Sequence, residues 1–242
     1  MYQALYRKYR PQSFSDGFIG QPYIVRALKN QVAAGQTGHA YLFSGVRGTG
    51  KTTCARILAK AVNCEAPVNG EPCCKCKSCL VVAEGSTADI CEVDAASNNG
   101  VDYIRELRDE VIFAPAQVKY RIYIIDEVHM LTPSAFNALL KTLEEPPSHV
   151  KFILATTEVQ KLPMTILSRC QRYDFHRIPA SEMADLLLNI AKNEKIPLEP
   201  EAALLLASSA DGAMRDAISM LELCAGSGET ITAEMAAKTL GV

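Results

Sequence analysis

The sequence predicts an α/β fold: a five-stranded parallel sheet covered by helices, a cysteine-rich insertion within it, and a small all-helical domain after it. Three observations carry this expectation. Short apolar runs alternate with helical patterns up to about residue 178, as in a parallel sheet buried on both faces. Beyond Pro179 only helical patterns remain. Charge shifts at the same place: residues 1–178 carry 21 basic and 17 acidic side chains, residues 179–242 carry 4 and 10. The expected division is therefore 1–178 and 179–242.

The elements follow in order. Pro22 to Gly35 is amphipathic and reads as a helix that starts after Gly20 and stops at a glycine. Ala40-Tyr41-Leu42-Phe43-Ser44 is a short buried strand ending at Gly45. A helix is expected from Lys51 to about Asn63, then the cysteine segment 64–79, a short helix, and a strand at Ile90–Asp94. The polar loop Ser97-Asn98-Asn99-Gly100 leads into a helix over 101–113. A strand over 120–126 and a helix over 133–145 come next, the helix stopped by Pro146-Pro147. Strand 151–156, a helical turn over 163–169 and strand 171–175 close the first domain. Helices near 180–195, 199–210, 213–225 and 233–240 make up the second.

Composition sets outer limits. The chain has 242 residues, a formal net charge of −2, 48% apolar and 21% charged residues, which excludes collagen-like, mucin-like and wholly disordered chains. No apolar run approaches the ~18 residues that span a bilayer. The N-terminal stretch carries no apolar signal segment, so a cytoplasmic location is expected. Nine cysteines, an odd count, argue against a disulfide framework.

Gly45-Val46-Arg47-Gly48-Thr49-Gly50-Lys51-Thr52, followed by Thr53, matches G-x-x-x-x-G-K-[ST] between a strand and a helix. Glycines let the backbone N–H groups curl around phosphate oxygens, and the helix N-terminus adds partial positive charge. Lys51 can reach the β- and γ-phosphates, and Thr52 can ligate Mg²⁺. The second half of such a site is an acidic pair ending a buried strand, and Ile124-Ile125-Asp126-Glu127 supplies it. Asp126 would hold the Mg²⁺ shell, and Glu127 would act as general base on the attacking water. Nucleoside triphosphate hydrolysis is the expected chemistry.

Cys64, Cys73, Cys76 and Cys79 have the spacing of a closed, structural Cys₄ zinc site. Cys74 could take the place of Cys73. Cys54, Cys91, Cys170 and Cys224 fall in apolar or helical patterns and read as small core residues.

Several segments together resemble one family. Asp126-Glu127-Val128-His129-Met130-Leu131, Asn137-Ala138-Leu139-Leu140-Lys141-Thr142-Leu143-Glu144-Glu145-Pro146-Pro147 and Ser168-Arg169-Cys170 look like the gamma/tau family of bacterial DNA polymerase III clamp loaders. Arg7-Lys8-Tyr9-Arg10-Pro11 and Gly212-Ala213-Met214-Arg215-Asp216 fit as well. The resemblance implies an AAA+ P-loop NTPase core with a helical lid, using ATP, Mg²⁺ and Zn²⁺. It implies assembly with delta, delta-prime and further gamma/tau copies, and action on a sliding clamp and primed DNA. By the same resemblance Thr157 is the first sensor, Arg215 the lid's second sensor, and Arg169 an arginine finger serving a neighbour's site. Arg10, Phe18 and Ile19 would line the adenine pocket, though Gly17-Phe18 departs from the small aliphatic residue usual there. Asn99, Arg105 and Arg108 are candidate DNA contacts. The family's oligomerising collar, and the regions that bind polymerase and helicase, are not in this sequence, so a fragment is expected.

Two other functions compete. Asp126-Glu127-Val128-His129 also resembles a helicase DExH box, which suggests a helicase or branch-migration motor. A nucleotide-sensing, zinc-stabilised scaffold is the non-enzymatic alternative, disfavoured by the intact Lys51, Asp126 and Glu127.

Overall fold

The fold is described from a computed structural model, over residues 3–85, 87–226 and 229–241. Five strands, β1 (Ala40–Gly45), β2 (Ile90–Asp94), β3 (Arg121–Asp126), β4 (Val150–Thr156) and β5 (Gln171–Phe175), form one sheet in the order β2-β3-β4-β1-β5. Every pairing is parallel, and the central strands β1, β3 and β4 are the near-continuous apolar ones expected of such a sheet, while the edge strands β2 and β5 are more polar and more exposed. Because all strands run the same way, the loops after β1, β3 and β4 converge at one edge of the sheet.

The period of two along the strands divides the core into two layers. Leu42, Tyr123, Ile125, Phe152 and Leu154 face one way, under α5 (Val101–Glu110) and α6 (Pro133–Glu144). Tyr41, Phe43, Ile122, Ile124 and Ile153 face the other, under α2 (Pro22–Ala33) and α3 (Lys51–Asn63). Tyr123 and Phe152 stack across β3 and β4 with ring centroids 5.4 Å apart. α6 begins as its sequence dictates: Thr132 Oγ1 accepts from Ala135 N at 3.2 Å and Pro133 takes the first turn.

The second domain contains α8 (Ala180–Glu194), α9 (Pro200–Ser209), α10 (Met214–Ala225) and α11 (Ala233–Leu240) around their own apolar cluster. Leu5 of a short helix α1 (Leu5–Lys8) is buried in that cluster, with Tyr6, Tyr9 and Ile19 packed against it. Residues 5–9 therefore fold onto the helical domain. α1 was not expected from periodicity: four residues are too few to show it. The helix over 101–113 ends instead at Glu110, and the short turns Val128–Met130 and Val159–Lys161 are further additions.

α4 (Lys77–Glu84) and α7 (Met164–Leu167) complete the described elements. None of the described helices is long and apolar enough to cross a membrane.

Candidate functional site

A cleft of about 1020 Å³, open to solvent, lies between the carboxyl edge of the sheet and the helical domain. Its floor is residues 47–53, one wall is Asp126 and Glu127, another is the segment from Arg10 to Ile19, and its roof is Met214, Arg215 and Ile218.

The floor is a strand–turn–helix. Gly45, Gly48 and Gly50 have φ of 144°, 80° and 99°, the left-handed side that glycine tolerates. At Gly48 a Cβ would also lie 2.7 Å from Ala213 Cβ, so the missing side chain lets the roof close onto the floor. There Met214 N donates to Gly48 O at 3.1 Å. Lys51, at the start of α3, is 6% exposed, and its Nζ donates to the carbonyls of Gly45 and Val46 at 2.8 and 2.9 Å. Burial lowers its pKa, opposed by Glu127 and Asp126.

The acidic wall is a side-chain network. Thr52 Oγ1 donates to Asp126 Oδ2 at 2.7 Å, so two expected Mg²⁺ ligands stand together. Glu127 has φ 47°, and its N–H donates to Asp126 Oδ1 at 2.9 Å. Thr157 Oγ1, just beyond β4, donates to Glu127 Oε2 at 2.9 Å. His129 Nδ1 lies 3.1 Å from Thr156 Oγ1 and 3.4 Å from the same Glu127 Oε2. Glu127 Oε2 thus has two neighbours, and Oε1 is left for other work.

The arginines are placed differently. Arg215 is exposed at the roof, its guanidinium 4.6 Å from the Tyr6 ring centroid. Tyr6 has its pKa lowered, chiefly by the Arg7 hydrogen bond. Arg10, Phe18 and Ile19 line the cleft, and burial lowers the pKa of Arg10. Arg169 is not in the cleft. It lies two residues ahead of β5, at the opposite edge of the sheet, where its Nη2 meets Glu144 Oε1 at 2.5 Å. Arg105 and Arg108 pair with Asp102 and Asp109 at 3.0 and 2.9 Å on α5, and Asn99 is exposed in the preceding loop, all outside the cleft.

Away from the cleft, the sulfur atoms of Cys64, Cys73, Cys76 and Cys79 all lie within 4.8 Å of one another. Backbone N–H groups of Cys73, Cys76 and Cys79 point at the sulfurs of Cys64, Cys73 and Cys76, at 3.2, 3.3 and 3.4 Å. The N–H groups of Lys75 and Cys76 hold the Cys73 thiol down at about 6, toward the thiolate that binds metal. Burial pushes Cys79 up. Four converging sulfurs fit a tetrahedral thiophilic ion. Cys74, the sequence's alternative ligand, turns out of the cluster at φ 55°, its Sγ 3.5 Å from Gln12 O. Cys54, Cys91, Cys170 and Cys224 are buried or half-buried, and burial raises each thiol.

Sequence reasoning assigned no role to Tyr6, His129 or Gly48's contact with the roof. His129 sat in view in the Asp126–His129 run. Tyr6 gave no local signal, because its partner is more than two hundred residues away.

A glycine-rich strand-to-helix turn, an acidic pair on the central sheet, a strand-end threonine and a helical lid define a P-loop nucleotide-binding domain of the AAA+ fold. A family model described as DNA polymerase III, delta subunit matches residues 20–179. A second, described as DNA polymerase III clamp loader subunit, ATPase lid domain, matches residues 182–224. DNA polymerase III subunit tau of Bacillus subtilis is 57% identical over 222 residues, covering 91% of this chain and 39% of that protein. Subunit tau of Escherichia coli is 49% identical over 94% of this chain and 35% of its own length. Subunit gamma of Buchnera aphidicola subsp. Baizongia pistaciae is 46% identical over 100% of this chain and 65% of its own. The chain belongs to the gamma/tau family of DNA polymerase III clamp-loader subunits. It spans roughly a third of the tau relatives, 35–39%, and under two thirds of the gamma relatives, 61–65%. Among solved structures, the Thermotoga maritima RuvB Holliday junction branch migration motor matches with a TM-score of 0.71 at 19% identity, over 96% of this chain and 72% of that one. At that identity the likeness shows the fold alone.

Proposed function

We propose that this chain is an ATP-binding and hydrolysing motor unit of the bacterial clamp loader, which opens a sliding clamp and places it on primed DNA. The observation that carries the reading is the joined network Thr52–Asp126 and Thr157–Glu127 beside Lys51, set in a cleft that a lid roofs. ATP is the substrate. Residues 45–53 wrap its phosphates, and Lys51 trades its loop carbonyls for phosphate oxygens. Thr52 and Asp126 hold Mg²⁺, which supplies charge neutralisation at the β- and γ-phosphates. Glu127 takes the proton of the attacking water, and Thr157 fixes the carboxylate's orientation. Arg215 links the lid to the γ-phosphate, while Arg10, Phe18 and Ile19 bound the base. Arg169 faces away from its own cleft and serves the site of a neighbouring subunit. Asn99, Arg105 and Arg108 contact the DNA backbone, in a salt-sensitive and sequence-independent way. Zn²⁺ in the four-cysteine site orders the insertion, and the protein acts in the cytoplasm.

The test is ATP hydrolysis by this chain alone, then within the full-length subunit with its partner subunits, clamp and primed DNA. Strong stimulation that Arg169→Ala abolishes while ATP binding persists is the expected result. Hydrolysis indifferent to partners and to Arg169 overturns it. ATP-coupled duplex unwinding would favour the helicase alternative.

A further inference from the structure

The cysteine module is the one motif the nucleotide reading leaves unused, and it is physically tied to the cleft. α3 begins at Lys51 in the phosphate loop and runs 13 residues to Asn63, so Cys64 follows the floor at the end of a rod of about 20 Å. The module then folds back onto the segment that forms the cleft wall. Glu71 Oε2 accepts the backbone N–H of Phe14 at 2.9 Å, and Glu71 Oε1 pairs with Lys29 of α2 at 2.9 Å. Gly70, at φ 77°, lies so close to α2 that a Cβ would stand 2.1 Å from Lys29 O. Cys74 Sγ approaches Gln12 O at 3.5 Å, and Lys60 of α3 donates to Gln12 O and Oε1 at 3.1 and 2.8 Å.

The gripped segment leads straight to the cleft. Gln12 Nε2 donates to Arg10 O at 3.0 Å. Phe14 is buried and meets Phe18 edge-on, ring centroids 6.2 Å apart. Phe18 abuts the floor: a Cβ on Gly50 would lie 2.9 Å from its ring. Residues 10–18 form only hydrogen bonds of turns and side chains, with no helix or strand to hold them. Their position therefore depends on outside anchors, and a carboxylate accepting an N–H is about twice as strong an anchor as a neutral acceptor.

We propose that Glu71 is a positioning residue for the nucleotide: fixed by the four-cysteine module, it holds Phe14, and through Phe14 the wall residues Phe18 and Arg10. Val68 and Glu71 exchange backbone bonds, Val68 N to Glu71 O at 3.1 Å and Glu71 N to Val68 O at 2.9 Å, in a tight turn between Cys64 and Cys73. Metal in the four-cysteine site then strengthens nucleotide binding, because it fixes both ends of the turn that presents Glu71. The inference rests on the reading of the cleft as an ATP site.

The experiment is equilibrium binding of a non-hydrolysable ATP analogue with Mg²⁺, with hydrogen exchange of the 10–18 amides and the thermal midpoint measured in parallel. The protein is used zinc-loaded and after removal of zinc by a chelator. Glu71→Ala is expected to weaken binding about five- to tenfold with an intact fold. Glu71→Gln keeps an oxygen that can accept from Phe14 but gives up the charge and the Lys29 pair, and is expected to bind between wild type and Glu71→Ala. Zinc removal should weaken the wild type by a similar factor, speed exchange at Phe14, and leave Glu71→Ala unchanged. A folded Glu71→Ala that binds normally overturns the proposal. So does zinc removal that weakens wild type and Glu71→Ala by equal factors, since metal would then act by another route. If Glu71→Ala does not fold, the wild-type exchange decides: unchanged protection at residues 10–18 on zinc removal overturns it. Lys51→Ala is the control for the underlying reading, and analogue binding unaffected by that change would sink the ATP site itself.

Discussion

The two edges of the sheet hold their polar groups in different ways. At the amino edge, buried polar groups are committed to the backbone. Lys151 donates to the carbonyls of Thr37 and Gly38 at 3.3 and 2.9 Å. Asp89 accepts from the N–H groups of Ala116 and Gln117 at 2.9 and 2.7 Å. Asn63 closes two bonds with the backbone of Tyr120. At the carboxyl edge, Lys51 also rests on backbone carbonyls, those of Gly45 and Val46 in the open phosphate loop, but elsewhere side chain meets side chain: Thr52 with Asp126, Thr157 with Glu127, His129 with Thr156. A backbone partner left behind is an orphaned buried group, so the amino edge cannot rearrange cheaply. Hydroxyls and carboxylates keep spare lone pairs, so the carboxyl edge can reopen around a ligand. One edge is built to stay, the other to exchange partners.

Changes on the exchanging side should cost activity and spare stability. Arg169 tests the limit of the comparison, because it sits beside the amino edge yet is partly exposed and held by a carboxylate, Glu144. Arg169→Ala should lower hydrolysis in the assembled complex by about 10³-fold or more, and leave the slow hydrolysis of the isolated chain unchanged. Steady-state ATPase assays in both settings check it, and equal losses in both would place Arg169 in its own site. Glu127→Gln should reduce single-turnover hydrolysis by about 10²–10⁴-fold. Nucleotide affinity should hold, because Lys51 and the loop are untouched. A large loss of affinity instead would mean Glu127 is part of the phosphate grip.

Changes on the staying edge should do the reverse. Asp89 is 1% exposed, and besides two N–H groups it faces Arg121 at 3.4 Å. Asp89→Ala leaves the two N–H groups without their acceptor and Arg121 without its carboxylate, held then by Glu110 O at 2.8 Å, at a cost of about 3 kcal/mol in unfolding free energy. The remaining folded protein should bind nucleotide normally. Denaturant titration and nucleotide binding on one sample separate the two effects. Lost affinity at unchanged stability would erase the distinction between the edges.

The sequence made the carboxyl edge easy to read and the amino edge hard. Gly45–Thr52 and Asp126-Glu127 are local patterns whose spacing encodes the geometry, and the strands and helices around them show clean periods. The four-cysteine cluster was legible for the same reason, and both the Cys-x-x-Cys spacing and the geometry favour Cys73 over Cys74. What could not be read is what arises between distant segments. Tyr6 beneath Arg215, Met214 bonded to Gly48, and Glu71 holding Phe14 each join residues that no local pattern connects. Nothing local in the sequence marks Lys151 or Asp89 as buried, because burial of a charge is decided by the packing of other chain segments above it.

Lys151 gives the comparison its smallest and cleanest test. The residue is 5% exposed, with its ammonium 4.4 Å from the Tyr120 ring centroid as well as on two carbonyls. Burial still outweighs these partners and lowers its pKa to about 8, with Lys119 adding to the shift. In the unfolded chain a lysine titrates near ~10.4. Below pH 8 both states carry the proton, and the folded state bears the full cost of the buried charge. From about 8 to 10.4 the unfolded state binds more protons than the folded one, so stability rises with pH. Above both values the cost is gone. Lys151→Met removes the group, and with it this rise. The difference in unfolding free energy between wild type and Lys151→Met should therefore move in favour of wild type by about 2 kcal/mol from pH 7.5 to 9.5. Taking the difference cancels the other lysines and the tyrosines. A difference that stays flat over that range would mean the ammonium is solvated in the folded state, and that the amino edge is looser than its backbone bonds imply.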